Sequence, residues 1–285
     1  MYREIIHDTF QQIDLVSRLI TNFPESLVRA TSSASVTSNF ASGDARISSL
    51  MGIEGLHQIG NSASILRMYY NLGVRYATLT HTCDNIYADS EASETPLHGG
   101  LSERGKEIIR EMNRLGMMVD ISHTSHETQK AALAASRAPV IFSHSSAWKV
   151  CHHSRNVKDE VLFELKKNDG VVMITFYPEF TNIEPAKASL SDVADHIIYV
   201  GELIGYRHVG LGSDFDGMAK GPKGLEDVSK YPDLIEELFE RGIRVEDIKK
   251  ILGYNILRVL RAVEEVAVDL KHEKPLEDDV KPFFG

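Results

Sequence analysis

The chain has 285 residues, is 42% hydrophobic and carries a formal net charge of −10. That length supports one large core, and residues 1–285 read as a single α/β domain. The acidic charge is scattered and not blocked, which argues against nucleic acid or an anionic membrane surface as a partner.

The first element predicted is an amphipathic helix over residues 3–21, with Ile6, Phe10, Ile13 and Ile20 near helical spacing and Pro24 beyond its end. A Ser/Ala-rich stretch, 25–46, reads as loop plus a short helix. Strands and helices then alternate. A strand over 47–54 leads to a helix over 62–72 closed by Gly73. A strand over 75–81 is followed by a polar loop at 84–101 and a helix over 102–115 that stops at Gly116. Strand 117–123 precedes helix 125–136, strand 138–144 precedes helix 157–167, and strand 170–176 precedes helix 190–204. Strand 208–215 and a long loop, 217–230, lead to helices over 232–241 and 245–270 and a charged, loose tail to Gly285.

Short apolar strands separated by helices imply a parallel sheet with helical crossovers. Five of the six strands deliver a metal- or proton-handling residue at the same end: Glu54, His81, His123, His144 and Asp214. Such residues converge at the C-terminal rim of a (β/α) barrel. A closed TIM barrel has eight strands, and only six are predicted, so the expected fold is a (β/α)8 type lacking its first two strands.

His123 and His144 occupy matching settings, D-I-S-H-T-S and I-F-S-H-S-S. Two imidazoles in one register on successive strands reach a single ion, and neutral imidazole is a common zinc ligand. Glu54, between Gly52 and Gly55, offers a carboxylate able to bridge two ions. In G-S-D-F-D-G, either Asp214 or Asp216 fits a proton carrier, His81 fits an oxyanion donor, and Arg155 a clamp for a substrate carboxylate. Each has a plainer reading: a capping Glu, a Gly/Asp turn, a solvated loop arginine. Asp120 reads as a strand residue bonded to nearby loops, His57 as a neighbour of the site, and the adjacent His152 and His153 as exposed loop. No G-x-S-x-G, Walker or Rossmann glycine pattern is present.

Cys83 and Cys151, the only two cysteines, read as buried free thiols of a reduced compartment. No window approaches the ~18 apolar residues of a membrane span, and the N-terminus has no secretory signal. The expected location is cytoplasmic.

The stretches SLMGIEGLHQIG, LGVRYATLTHTCDN, GLSERGKEIIREMNRLGMMVDISHTS, APVIFSHSSAWKVCHHSRNV and HVGLGSDFDG, with GLEDVSKYPDLIEELFERG, follow one another in order. In these the chain resembles the membrane (renal) dipeptidases, the M19 zinc metallopeptidases, over residues from about 8 to 267 and most closely in their fungal members. The resemblance implies a (β/α)8 barrel with two zinc ions that hydrolyses dipeptides such as Cys-Gly. It implies Glu54 as the bridging carboxylate, and His123 and His144 on one zinc. It also implies Asp214 as proton shuttle, His81 at the scissile-bond oxygen and Arg155 on the substrate carboxylate. The family's first-strand His-x-Asp pair, which completes the other zinc site, is absent; His7 and Asp8 are adjacent on a helix. Phe180 stands near where mammalian members have a substrate-contacting tyrosine.

The expected activity is therefore zinc-dependent dipeptide hydrolysis. The alternative is a truncated, weakly active or non-catalytic barrel remnant that binds metal or a partner, because open sheet edges invite aggregation or a homodimer. Either the chain is a short version of a longer protein or it is a truncated paralogue. A barrel hydrolase of lactones or phosphotriesters is disfavoured because no predicted strand ends in lysine.

Overall fold

The computed structural model describes residues 2–43 and 45–278; the end of the predicted loose tail lies outside them. The N-terminal helix α1 spans Tyr2–Asn22. The next region departs from expectation. Leu27–Arg29 forms a strand, β1, and pairs in parallel with β2, Ile47–Ser49, through helix α2, Ser33–Ala41. The predicted strand 47–54 is thus two strands. Its second half, β3 (Met51–Glu54), belongs to a different sheet.

That second sheet has six parallel strands in chain order: β3, β4 (Val74–Thr78), β5 (Met118–Asp120), β6 (Ile141–Phe142), β7 (Val171–Ile174) and β8 (Val209–Leu211). Sequential order without a switch is barrel topology, and the outer edges of β3 and β8 are unpaired among the described residues. The helices between them are α3 (Ala63–Asn71), α4 (Glu103–Leu115), α5 (His126–Ala135), α6 (Asp159–Asn168), a single turn α7 (Pro178–Thr181) and α8 (Leu190–Ile204). Serine N-caps start several of them: Ser62, Ser102 and Ser125 each accept an amide three residues on. Gly116, at φ 86°, ends α4 in the left-handed region.

The predicted helix 245–270 is also broken. It comprises α10 (Val245–Lys249), a π turn over Lys250–Tyr254 and α11 (Asn255–Leu270), after α9 (Tyr231–Glu240). The break lets α11 cross the N-terminal ends of the strands. Val259, Leu260 and Val263 pack there against Met118, Ile141 and Val171, and Asn255 donates to the Val209 carbonyl at 2.7 Å. The C-terminal end of the described residues is docked: Asp278 accepts from Ala63 N (2.7 Å) and Ser62 Oγ (2.8 Å) at the start of α3. The larger apolar core lies between the strands and α3 to α8, with Ala77, Val119, Phe142 and Val172 facing the helices. A lumen of about 570 Å³ runs from Leu260 to Glu54 and Asp214. No described helix is long and apolar enough to cross a membrane.

Candidate metal centre

The expected strands ran on to the functional residues, but the hydrogen-bonded ladders end earlier. Only Glu54 is itself a strand residue, the last of β3. His81, His123 and Asp214 lie beyond Thr78, Asp120 and Leu211, and His144 beyond Phe142. These four therefore sit in the C-terminal loops, and with Glu54 at its strand end all five share one rim. His123 and Asp214 hold φ values of 63° and 64°, a region that non-glycine residues rarely occupy and that recurs at functional sites. At His123 the carbonyl accepts from Thr80 Oγ1 (3.0 Å), Ser90 Oγ (3.2 Å) and the Glu91 amide (2.9 Å), which fixes that turn.

Three of the residues meet. Glu54 Oε1 lies 3.1 Å from His123 Nε2 and 3.1 Å from His144 Nε2, and the two Nε2 atoms are 2.8 Å apart. Donors about 2.0–2.1 Å from one ion, at angles near 90–110°, stand about 2.9–3.4 Å from each other. The three side chains thus match a shared cation, and among the described residues theirs is the one group of three or more metal-type donors that converges. The electrostatics agree. The imidazoles of His123 and then His144, each 3.1 Å from Oε1, hold the Glu54 carboxyl well below the usual carboxylate range. Burial pushes the His123 imidazole below its ordinary value, favouring the neutral, ligating form.

The other predicted residues surround this trio. His81 Nε2 is 3.9 Å from Glu54 Oε2, and its ring centroid is 4.5 Å from that of His123. Asp214 lines the lumen with Glu54 and His144, and burial raises its carboxyl above the ordinary aspartate range. Arg155, read from sequence as an ordinary loop arginine were it not for the site, is 4% exposed. Its Nη2 donates to the His144 carbonyl at 3.2 Å, its Nε is 3.8 Å from Glu91, and that Nε has no hydrogen-bond partner. A buried guanidinium with an unspent donor beside the trio is a place for an anionic group. Phe180 lies 5.2 Å below the guanidinium carbon and stacks on Tyr177 at 4.5 Å.

Some expectations need adjustment. Gly52 makes room for the Tyr76 ring, which a Cβ there would strike at 2.1 Å. Gly55, at φ 104°, would strike His57, which lines a second cavity with Glu54 and His81. Cys83 is exposed and not buried, whereas Cys151 is buried, and both are free. His152 stacks on Trp148 at 4.1 Å, while His153 Nδ1 accepts from the Arg155 amide, so the pair diverges. Sequence reasoning passed over Ser143 and undervalued Asp120. The available signal was a carboxylate inside the apolar run M-V-D-I-S-H, where an unpaired charge is costly.

Comparisons with known proteins agree with this geometry. The family model "Membrane dipeptidase (Peptidase family M19)" matches residues 1–274. The dipeptidase aclJ of Aspergillus oryzae is 66% identical over 282 residues, 99% of this chain and 67% of that protein. The dipeptidase tcpJ of Claviceps purpurea is 50% identical, over 97% of this chain and 65% of that protein. The chain thus spans about two thirds of the length of these relatives. An amidohydrolase from Pseudomonas aeruginosa superimposes with a TM-score of 0.84 at 26% identity, covering 90% of this chain and 85% of that one. A metallopeptidase from Rhodobacter sphaeroides, bound to a phosphinate mimic of the dipeptide L-Ala-D-Ala, superimposes with a TM-score of 0.77 at 27% identity, covering 83% of this chain and 69% of that one. The six-stranded parallel sheet is therefore of TIM-barrel type, the Glu54–His123–His144 trio is a group that could hold a metal ion, and the chain belongs to the membrane dipeptidase family, peptidase family M19.

Proposed function

We propose that this chain hydrolyses dipeptides and that its metal is zinc. The observation that carries the reading is the meeting of Glu54 and two imidazoles at the rim, beside a buried arginine and a half-buried aspartate. Two histidines and one glutamate form a donor set used by catalytic zinc, with a coordination position left open. Zinc bound there supplies Lewis acidity and an ionisable water nucleophile near neutral pH. The chain does the rest. Asp214, whose raised carboxyl affinity for protons suits exchange, takes the proton of the attacking water and passes it to the leaving amine. His81 donates to the developing oxyanion, a contact typically worth ~3 kcal/mol. Arg155 pairs with the free C-terminal carboxylate and selects dipeptides over longer or neutral substrates.

Glu54 Oε1 faces the two histidines while Oε2 faces His81, an orientation that supports the bridging role expected for a second zinc. The ligands for that second ion are not assembled among the described residues. The non-catalytic alternative is favoured by the same shortfall and by the unpaired edges of β3 and β8, which a homodimer would cover. Free thiols support a cytoplasmic location.

The deciding experiment measures zinc per chain and turnover of Cys-Gly and of its C-terminal amide. The reading expects at least one zinc per chain, hydrolysis of Cys-Gly, and a strong preference for it over the amide. No turnover at any zinc loading sinks the enzyme reading in favour of a metal-binding remnant.

A further inference from the structure

Asp120 closes β5 fully buried and does not belong to the trio. Its Oδ1 accepts two backbone amides, Ser122 N at 3.1 Å and Ser143 N at 2.9 Å. Its Oδ2 accepts two hydroxyls, Thr78 Oγ1 at 2.5 Å and Ser143 Oγ at 2.6 Å. Ser143 Oγ also lies 2.8 Å from Nδ1 of His144. A serine hydroxyl has one proton. Donated to Asp120, that proton is not available to His144, and the oxygen turns only lone pairs toward the ring. This draws the imidazole hydrogen to Nδ1, against the pull of the Glu54 carboxylate 3.1 Å from Nε2, and leaves Nε2, which faces Glu54 and His123, as the lone-pair side.

We propose that Asp120, acting through Ser143, fixes His144 in the Nδ1–H tautomer and so presents Nε2 as a ready metal donor. Asp120 and Ser143 are positioning residues in this scheme; neither touches substrate. The device is particular to His144, since Nδ1 of His123 has no hydrogen-bond partner among the described residues. The consequence for metal affinity rests on the metal reading of the trio, whereas the tautomer itself does not. Partners of this kind orient metal-bound histidines, and their loss typically weakens metal binding about 10–100-fold.

The geometry also forecasts which variant is worse. In Asp120→Asn the two backbone N–H groups at Oδ1 cannot turn away, so the amide oxygen must take that side. The amide NH₂ then faces Thr78 and Ser143, whose hydroxyls rotate to accept. Ser143 then donates its hydroxyl hydrogen bond to Nδ1 of His144, which favours the tautomer with the ring hydrogen on Nε2, the metal face. Ser143→Ala only frees the ring to sample both tautomers and leaves Asp120 three of its four bonds.

The test uses the full chain. Nitrogen-15 NMR of the histidine side chains, recorded without metal, reads the tautomer, and competition with a chelator reads zinc affinity. The expected results are Nδ1–H for His144 in the wild type, mixed tautomers and zinc binding weakened about 10-fold in Ser143→Ala, and Nε2–H with about 100-fold weakening in Asp120→Asn. A purely structural role would lower the melting temperature of these variants but leave tautomer and affinity unchanged. A wild type with Nε2–H, or a folded Ser143→Ala that keeps Nδ1–H and binds zinc within about twofold of wild type, overturns the proposal. Should Asp120→Asn fail to fold, Ser143→Ala decides alone. A wild type that shows the Nδ1–H form but binds no zinc refutes the metal reading and leaves the tautomer assignment standing.

Discussion

At the N-terminal ends of the six strands, Met118, Ile141 and Val171 close against Val259, Leu260 and Val263 of α11 in a contact made of hydrocarbon. At the C-terminal ends of the same strands, Thr78, Asp120, Ser122, Ser143, His144 and Arg155 are buried together as polar groups. The first arrangement gains from removing apolar surface from water. The second must satisfy every donor and acceptor it buries or incur the desolvation cost. It does so with one exception near the centre, Nε of Arg155. One end holds the sheet together and the other holds it ready for chemistry, the division expected in barrels of this type. Changes at the two ends should therefore be separable: rim variants should act on metal and turnover, and α11 variants on stability.

The largest effect is expected from Glu54→Gln. The amide cannot supply the anionic oxygen that Oε1 directs at both Nε2 atoms, so bound zinc, read by atomic absorption, should fall to background and Cys-Gly turnover with it. The melting temperature of the metal-free chain should change little, because the Glu54 side chain is 45% exposed. Full zinc occupancy in this variant would remove Glu54 from the ligand set.

Asp214→Asn should come next, lowering kcat about 10²–10⁴-fold with zinc retained. Its pH behaviour is a further check. Burial raises the folded-state carboxyl above its unfolded value. The charged form is thus disfavoured on folding at pH above the folded value, and this cost disappears as pH falls below the unfolded one. The metal-free wild type should gain stability from this group as pH drops through that interval, and Asp214→Asn should lose the dependence. The acid limb of kcat/KM should likewise lie above the ordinary aspartate range. A limb unchanged in the Asn variant would assign it to another group.

Much of the rim was legible because its residues end apolar runs. Glu54, His81, His123, His144 and Asp214 were all placed on one side of a parallel sheet from spacing alone, and they share that rim. What spacing misses is where a ladder stops. The strand expected over 117–123 pairs only over Met118–Asp120, because His123 turns into a positive-φ conformation that no apolar pattern announces. Leu27–Arg29 is too short for a period to show, and its pairing with Ile47–Ser49 also hid the break before Met51. The burial of Arg155 comes from its packing against His144, Glu91 and Phe180, residues remote from it in sequence. The role of Ser143 depends on Asp120, 23 residues away. Both are products of tertiary structure, invisible to a local window.

Leu260→Ala probes the opposite end and should have the smallest effect on function. Leu260 is 2% exposed and packs in the α11 contact, and such a truncation removes transfer free energy and leaves a void, typically costing about 2–5 kcal/mol. Denaturant unfolding should show a lower midpoint at an unchanged slope, with zinc affinity and kcat/KM of the folded fraction within about twofold of wild type, since distant sites act almost independently. If zinc affinity fell together with stability, the two ends would be coupled through the strands. The hydrocarbon contact under α11 would then count as part of what sets the rim, and the separation of holding from chemistry would not stand.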